Sequence, residues 1–261
     1  MSLLRISFSV LLIQALFTLP ARADFRSCEK YIEKMVLQSP RSESQRSRLA
    51  RIEAASASGS LLDTQSEKSI PEIEAHNAKI KKALRDPLPG SFRGMEQSVN
   101  YEMADSLVKL ITWHPVNGVR EEKKYDPEDC YGFCFGRAVL IHNEALRRNV
   151  DPEAIKKIWA VGSLENEKWH FHVATILKAK GSGTWWATDP IYRSAINVET
   201  WIRRMERSAD DDRLMFFVTD PRRFSVYDPR FYTGLDLLGN GRSDYYNGYF
   251  RDYFEFFLHA K

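Results

Sequence analysis

Apolar residues recur with two different periods along the chain. Up to about residue 90 the sequence is rich in Ser, Lys, Arg, Glu and Ala, with few aromatics after Tyr31. Ser56 to Ser60 is small and polar and reads as a linker. Ser69-Ile70-Pro71-Glu72 is a helix start, with Ser69 as cap and Glu72 three residues on. Ile73, Ile80 and Leu84 then share one face until Asp86-Pro87-Leu88-Pro89-Gly90 stops the run. Met103 to Trp113 reads as a second helix. Cys134 to Arg148 reads as a third, with Val139, Leu140, Asn143 and Leu146 at helical spacing. The period then changes. Ile158–Leu164 and Trp169–Leu177 alternate as strands do, and the turn Lys180-Gly181-Ser182-Gly183 folds the second of them onto Thr184–Thr188. Val198–Met205 returns to helical spacing, Leu214–Val218 is a further strand, and Tyr249, Tyr253, Phe256 and Phe257 are spaced for helical core packing. Helices first and strands after is the order of an α+β fold rather than of alternating βαβ units.

The first 23 residues read differently. Arg5 is a positive n-region, Ile6 to Leu19 is an apolar run, and Ala21-Arg22-Ala23 supplies small residues before a cut. The run is too short to span a bilayer, so it reads as a cleaved signal peptide rather than an anchor. Cys28 has no lipobox before it. These features divide the chain into 1–23 (signal), 24–93 (helical segment) and 94–261 (catalytic domain). Composition leaves two readings of residues 24–93 open: a helical extension, or a pro-segment that covers a cleft until cut.

Composition narrows the field. Of 261 residues, 38 are Lys or Arg and 35 are Asp or Glu, a net charge of +3. Removing Arg5 and Arg22 with the signal leaves 36 against 35, or +1, which argues against nucleic acid or an anionic membrane as partner. In an oxidising compartment two of Cys28, Cys130 and Cys134 can pair and one is left over, and arithmetic does not choose among the three pairings.

Three short motifs carry chemistry. Cys130-Tyr-Gly-Phe-Cys134-Phe-Gly-Arg137-Ala138 leaves a Gly-containing loop and opens a helix. A thiol there meets the positive end of the helix dipole and backbone N–H groups, which favour a thiolate and can bind an oxyanion. On the following strand, Trp169-His170-Phe171-His172 places two histidines on one face, and one can serve as base and acid to the thiol. On the next strand, Thr188-Asp189-Pro190 brings a carboxylate within reach of that imidazole, to fix its tautomer. His76, His114, His142 and His259 add no metal-ligand spacing, and the Asp236–Asp244 stretch lacks the spaced oxygens of a calcium loop. No cofactor is called for. Arg137 suits a pairing with a local acid.

The order Cys, His, Asp on a helix followed by a hairpin is that of transglutaminase-like and papain-like folds. Residues 130–205 resemble the bacterial protein-glutamine glutaminases, a family of protein deamidases. The resemblance rests on Cys134-Phe-Gly-Arg137-Ala138, His172-Val173-Ala174 and Asp189-Pro190, with the Pro127-Glu-Asp129 lead-in and the Val161-Gly162 strand. It implies a cofactor-free secreted hydrolase, made as a pre-pro form, acting on protein or peptide substrates with exposed glutamine. It makes Cys134 the nucleophile, His172 the general base and acid, and Asp189 the orienting carboxylate. The second cysteine, Cys130, and the long aromatic C-terminus from Tyr227 to Phe257 depart from that pattern. Two alternatives remain: a transglutaminase or cysteine protease on the same fold, and a non-catalytic exported binding protein.

Overall fold

The computed structural model describes residues 59–85, 98–127, 132–165, 168–181, 183–223, 225–227, 229, 231 and 248–259. Residues 1–23, read as a signal peptide, together with Cys28, Cys130, the stop at residues 86–90 and the Asp236–Asp244 stretch, lie outside the described residues.

The chain forms helices α1 (Leu61–Ser66), α2 (Ile70–Arg85), α3 (Tyr101–Thr112) and α4 (Cys134–Arg147), then strands β1 (Ile155–Leu164), β2 (Trp169–Lys178), β3 (Trp185–Thr188) and β4 (Ile196–Asn197). Helix α5 (Val198–Ser208), strand β5 (Met215–Thr219) and helix α6 (Tyr249–His259) follow. The five strands make one sheet in the order β4-β3-β2-β1-β5, every pair antiparallel. The α+β expectation holds.

Helices cover both faces of this sheet. Alternation along β1 sends Trp159 and Val161 to one face, where they pack with Val173 and with Val139 and Leu140 of α4. Ile158 and Ala160 go to the other face, with Ala174, Ile176 and Ala187, under Val198, Trp201, Ile202 and Met205 of α5. Those four α5 positions recur at i, i+3, i+4 and i+7, the stripe an amphipathic helix buries. Tyr249 and Tyr253 of α6 pack into the α4 side.

Local sequence sets the starts. Asn100 and Asn197 cap α3 and α5, accepting from the N–H groups of Met103 at 3.0 Å and Glu199 at 2.8 Å. At α2 the Glu72 carboxylate accepts from the Ser69 backbone N–H at 2.9 Å, half of a capping box.

Residues 59–85 are seated in the same core. Leu61, Ile73 and Leu84 are buried. The outer edge of β5 is covered by α2 through side chains. The Asn77 amide donates to the Leu214 carbonyl at 2.7 Å and accepts from the Phe216 N–H at 2.8 Å. His76 Nε2 meets the Phe216 carbonyl at 2.8 Å. One side-chain amide thus does for an edge strand what a neighbouring backbone would do.

The strand β1 begins at Ile155, three residues before the expected Ile158. The polar pair Lys156-Lys157 hides that start. Lys157 is fully buried, its Nζ donating to the Arg223 carbonyl at 2.8 Å. The short α1 and the two-residue β4 carry too little pattern to be read from sequence. Of the two tryptophans on β3, Trp185 is buried, and Trp186 packs edge-on against Tyr101 of α3 with ring centroids 5.4 Å apart.

Candidate active site

Cys134 is the first residue of α4. Its N-cap, Phe133, makes no side-chain capping bond, and the first turn carries no acidic residue. No carboxylate in that turn cancels the positive end of the helix, so the field reaches the thiol. The loop before it is pinned. Gly132 adopts φ +54°, and a Cβ there would lie 2.4 Å from Cζ3 of Trp169 on β2. The tight approach of that indole fixes how the chain enters the helix, and only glycine fits. The Thr175 hydroxyl of β2 then donates to the Ala138 carbonyl of α4 at 2.7 Å, holding helix to strand.

His172 lies near the start of β2. Thr175 faces Thr188 across the β2–β3 pair, so Asp189 stands opposite Ala174, two residues along from His172 on the same face. That diagonal puts His172 Nε2 2.6 Å from Asp189 Oδ2. With Nε2 engaged, Nδ1 is the ring nitrogen left for Cys134, to which the imidazole is hydrogen-bonded. Cys134 and Asp189 are 6% and 1% exposed. The His172 side chain keeps 15%. The three residues expected to act together are brought together.

The charges follow from this packing. Burial works against an imidazolium, but the charge and hydrogen bond of Asp189, joined by Cys134, outweigh it and raise His172 from its ordinary 6.5 to about 10. Burial likewise opposes ionisation of Asp189. The His172 charge and hydrogen bond, the Arg137 charge and the Trp201 N–H overcome it and hold that carboxyl below its ordinary range. Both directions describe a carboxylate paired with an imidazolium.

The sequence reading missed Trp201. Its indole N–H donates to Asp189 Oδ2 at 2.9 Å, and its ring stacks on His172 with centroids 5.9 Å apart at 25°. Asp189 Oδ1 also accepts from the Ile191 backbone N–H at 3.3 Å. The carboxylate is therefore fixed from three sides. The buried stripe of α5 marks Trp201 as a core residue, but no local pattern says that its N–H finds an acid.

Arg137 does pair with a local acid. Its Nη1 donates to both oxygens of Glu122, at 2.5 and 2.6 Å, and the pair is largely buried. Its Nε–H is buried without a hydrogen-bond partner among the described residues. The guanidinium lies within electrostatic reach of both Cys134 and Asp189. Lys157 is a second buried basic side chain within reach of Cys134, its Nζ 4.6 Å from the centre of the Phe135 ring. Burial pushes its pKa well below the ordinary 10.5.

Of the two histidines in the Trp169–His172 stretch, the structure selects His172, and His170 is half-buried. Among the described residues no group of three or more His, Cys, Asp or Glu is placed to hold a metal ion. No helix of the described residues is long and apolar enough to cross a membrane.

No family model, curated protein or solved structure matches this chain. The chemistry of the site rests on its own geometry.

Proposed function

We propose that the protein is an exported protein-glutamine deamidase on a transglutaminase-like or papain-like core, hydrolysing the side-chain amide of protein-bound glutamine. The observation that carries the reading is the linear arrangement of Cys134, His172 and Asp189, with the thiol at an uncapped helix start. The resemblance of the three motifs to protein-glutamine glutaminases narrows amide chemistry to glutamine.

The steps follow from the arrangement. The Cys134 thiolate attacks the amide carbon, and the carbonyl oxygen gathers negative charge against the Cys134 backbone N–H. His172, an imidazolium held by Asp189, gives its proton to the departing nitrogen. The C–N bond breaks, ammonia leaves, and an acyl thioester remains on Cys134. The neutral imidazole then takes a proton from water, whose oxygen attacks the thioester. The C–S bond breaks, glutamate leaves, and the ion pair is restored.

Ammonia release from casein by the full chain, and by the same chain carrying Cys134→Ala, tests the reading. Release by the first and none by the second is expected, with substrate mass rising by the exchange of NH for O at each glutamine. Chain cleavage without ammonia would replace the deamidase with a protease. Ammonia accompanied by cross-linked casein would replace it with a transglutaminase.

A further inference from the structure

At the C-terminal end of α3, Trp113 stands 50% exposed. Two guanidinium groups lie over its ring, Arg120 at 5.0 Å and Arg193 at 5.8 Å from the centroid. Both arginines are exposed, and among the described residues neither is paired with a carboxylate. Holding two long cationic side chains over one indole costs rotamer freedom, and it leaves their N–H groups arranged but unused.

The backbone beneath Arg193 is unusual as well. Arg193 adopts φ 59° and ψ 2°, the left-handed conformation, at the end of the short turn Pro190–Tyr192. A residue of this size there stores strain, which persists only where the surroundings impose it. The Thr112 hydroxyl provides a tie, its single proton shared between the Val108 carbonyl at 2.8 Å and the Pro190 carbonyl at 3.1 Å, so that the end of α3 meets that turn. Ile191, on the same turn, is 39% exposed.

The turn begins at Asp189, so four residues of chain hold the Arg193 Cα within at most about 14 Å of the Asp189 Cα. The end of β3, the start of β2 and the start of α4 all lie at this end of the sheet. A protein seated over the site would bury about 800 Å² of this surface, a disc roughly 16 Å in radius, and so would cover the patch.

We propose that Trp113, Arg120 and Arg193 form a docking site for a carboxylate-bearing segment of the protein substrate, beside the site where its glutamine is hydrolysed. The inference rests on the deamidase reading for the identity of the substrate. The chemistry is that of two guanidinium forks prearranged for carboxylates, with an exposed indole and Ile191 supplying apolar contact between and beside them. A short neutral glutaminyl peptide offers no carboxylate to the two guanidinium groups and serves as the comparison substrate.

The test compares the full chain with Trp113→Ala and with the double variant Arg120→Gln/Arg193→Asn. Asparagine tolerates the left-handed backbone, so the double variant removes charge without unseating the turn. The expected result is a fall of about tenfold in kcat/KM for casein, an acidic protein, in each variant. The same constant for a short, neutral, blocked glutaminyl peptide stays within about twofold, by the same arithmetic. The salt dependence of the casein reaction weakens in the double variant. Equal losses on both substrates, or no loss on either, would overturn the proposal.

A binding measurement separates this inference from the activity. Anisotropy of a fluorescein-labelled Glu/Gln copolymer peptide is followed with the Cys134→Ala chain, with and without the patch substitutions. Binding weakened by those substitutions sustains the docking site even if no form releases ammonia. Equal binding with the patch removed overturns the docking site, whatever the ammonia assay shows.

Discussion

Replacing Asp189 by Asn separates the charge of the site from its shape. The carboxylate accepts from His172 and Trp201 on one oxygen and from Ile191 N–H on the other. An amide can keep the two shorter bonds by turning its oxygen toward His172 and Trp201. Its NH₂ then faces the Ile191 N–H and loses only the 3.3 Å bond. What is removed is a negative charge 2.6 Å from His172. At an effective dielectric of about 20, that attraction is about 6 kcal/mol. The rise of His172 from 6.5 to about 10 corresponds to about 5 kcal/mol. The two magnitudes are of the same order, so the Asp189 charge, with its hydrogen bond, is large enough to raise the imidazolium against the opposing effect of burial. Without it, burial acts against Cys134 alone, and His172 returns toward or below 6.5. The alkaline limb of kcat/KM for ammonia release, near pH 10 in the parent, should then move down by about 3 units, with a loss at neutral pH on the order of 10²–10⁴. Stability carries the same sign. A raised folded-state value contributes in full below the unfolded 6.5 and is lost as pH rises through about 10. The melting temperatures of parent and variant should therefore differ most just below pH 6.5, draw together as pH rises, and converge above pH 10. An alkaline limb that stays above pH 9 in Asp189→Asn would refute the argument.

Four further outcomes follow from the contacts described. Trp201→Phe keeps the ring over His172 but removes one N–H from Asp189, costing about 1.5–3 kcal/mol. Because that N–H helps hold the Asp189 carboxyl low, the acid limb of activity should move to higher pH; an unmoved limb would count against the bond. Gly132→Ala meets both the Trp169 ring and a left-handed backbone, so denaturant unfolding should show a loss of about 1–3 kcal/mol along with slower alkylation of Cys134. A variant matching the parent in both would mean that the loop is not pinned there. Asn77→Ala leaves the Leu214 carbonyl and Phe216 N–H of β5 without their side-chain partner, and chemical denaturation should show a loss of about 1–3 kcal/mol. Removal of residues 59–85 altogether should give an aggregating protein, since Leu61, Ile73 and Leu84 leave the core with them; a soluble, cooperatively melting remainder would show the segment to be dispensable.

Much of the layout was legible because the elements that build the site have strong periods. The helix over 134–147, the paired strands and the α5 stripe each show apolar positions spaced for their element, and their order brought Cys134, His172 and Asp189 into one expected group. What was not legible depends on contacts distant in sequence. Lys157 reads as a surface lysine until a carbonyl 66 residues away receives it. Asn77 reads as a polar position on an exposed helix, yet it serves a strand 139 residues further on. The helix that carries Trp201 was legible, but the direction of the indole N–H depends on where the β3 turn leaves Asp189. Polar partners of this kind leave no periodic trace, since each needs only one atom in one place.

The edges of the sheet limit how another chain can approach. On one side Asn77 and His76 already occupy the outward backbone groups of Phe216. On the other, β4 offers only the two residues Ile196–Asn197. Neither of these two outer edges therefore offers a strand-length stretch of open backbone, and an incoming polypeptide gains no ladder of main-chain bonds by lying along either; inward of them, Trp169–Ala174 of β2 runs on past the end of β3. A chain that meets either outer edge is met by side chains, so no extended conformation is demanded of it there.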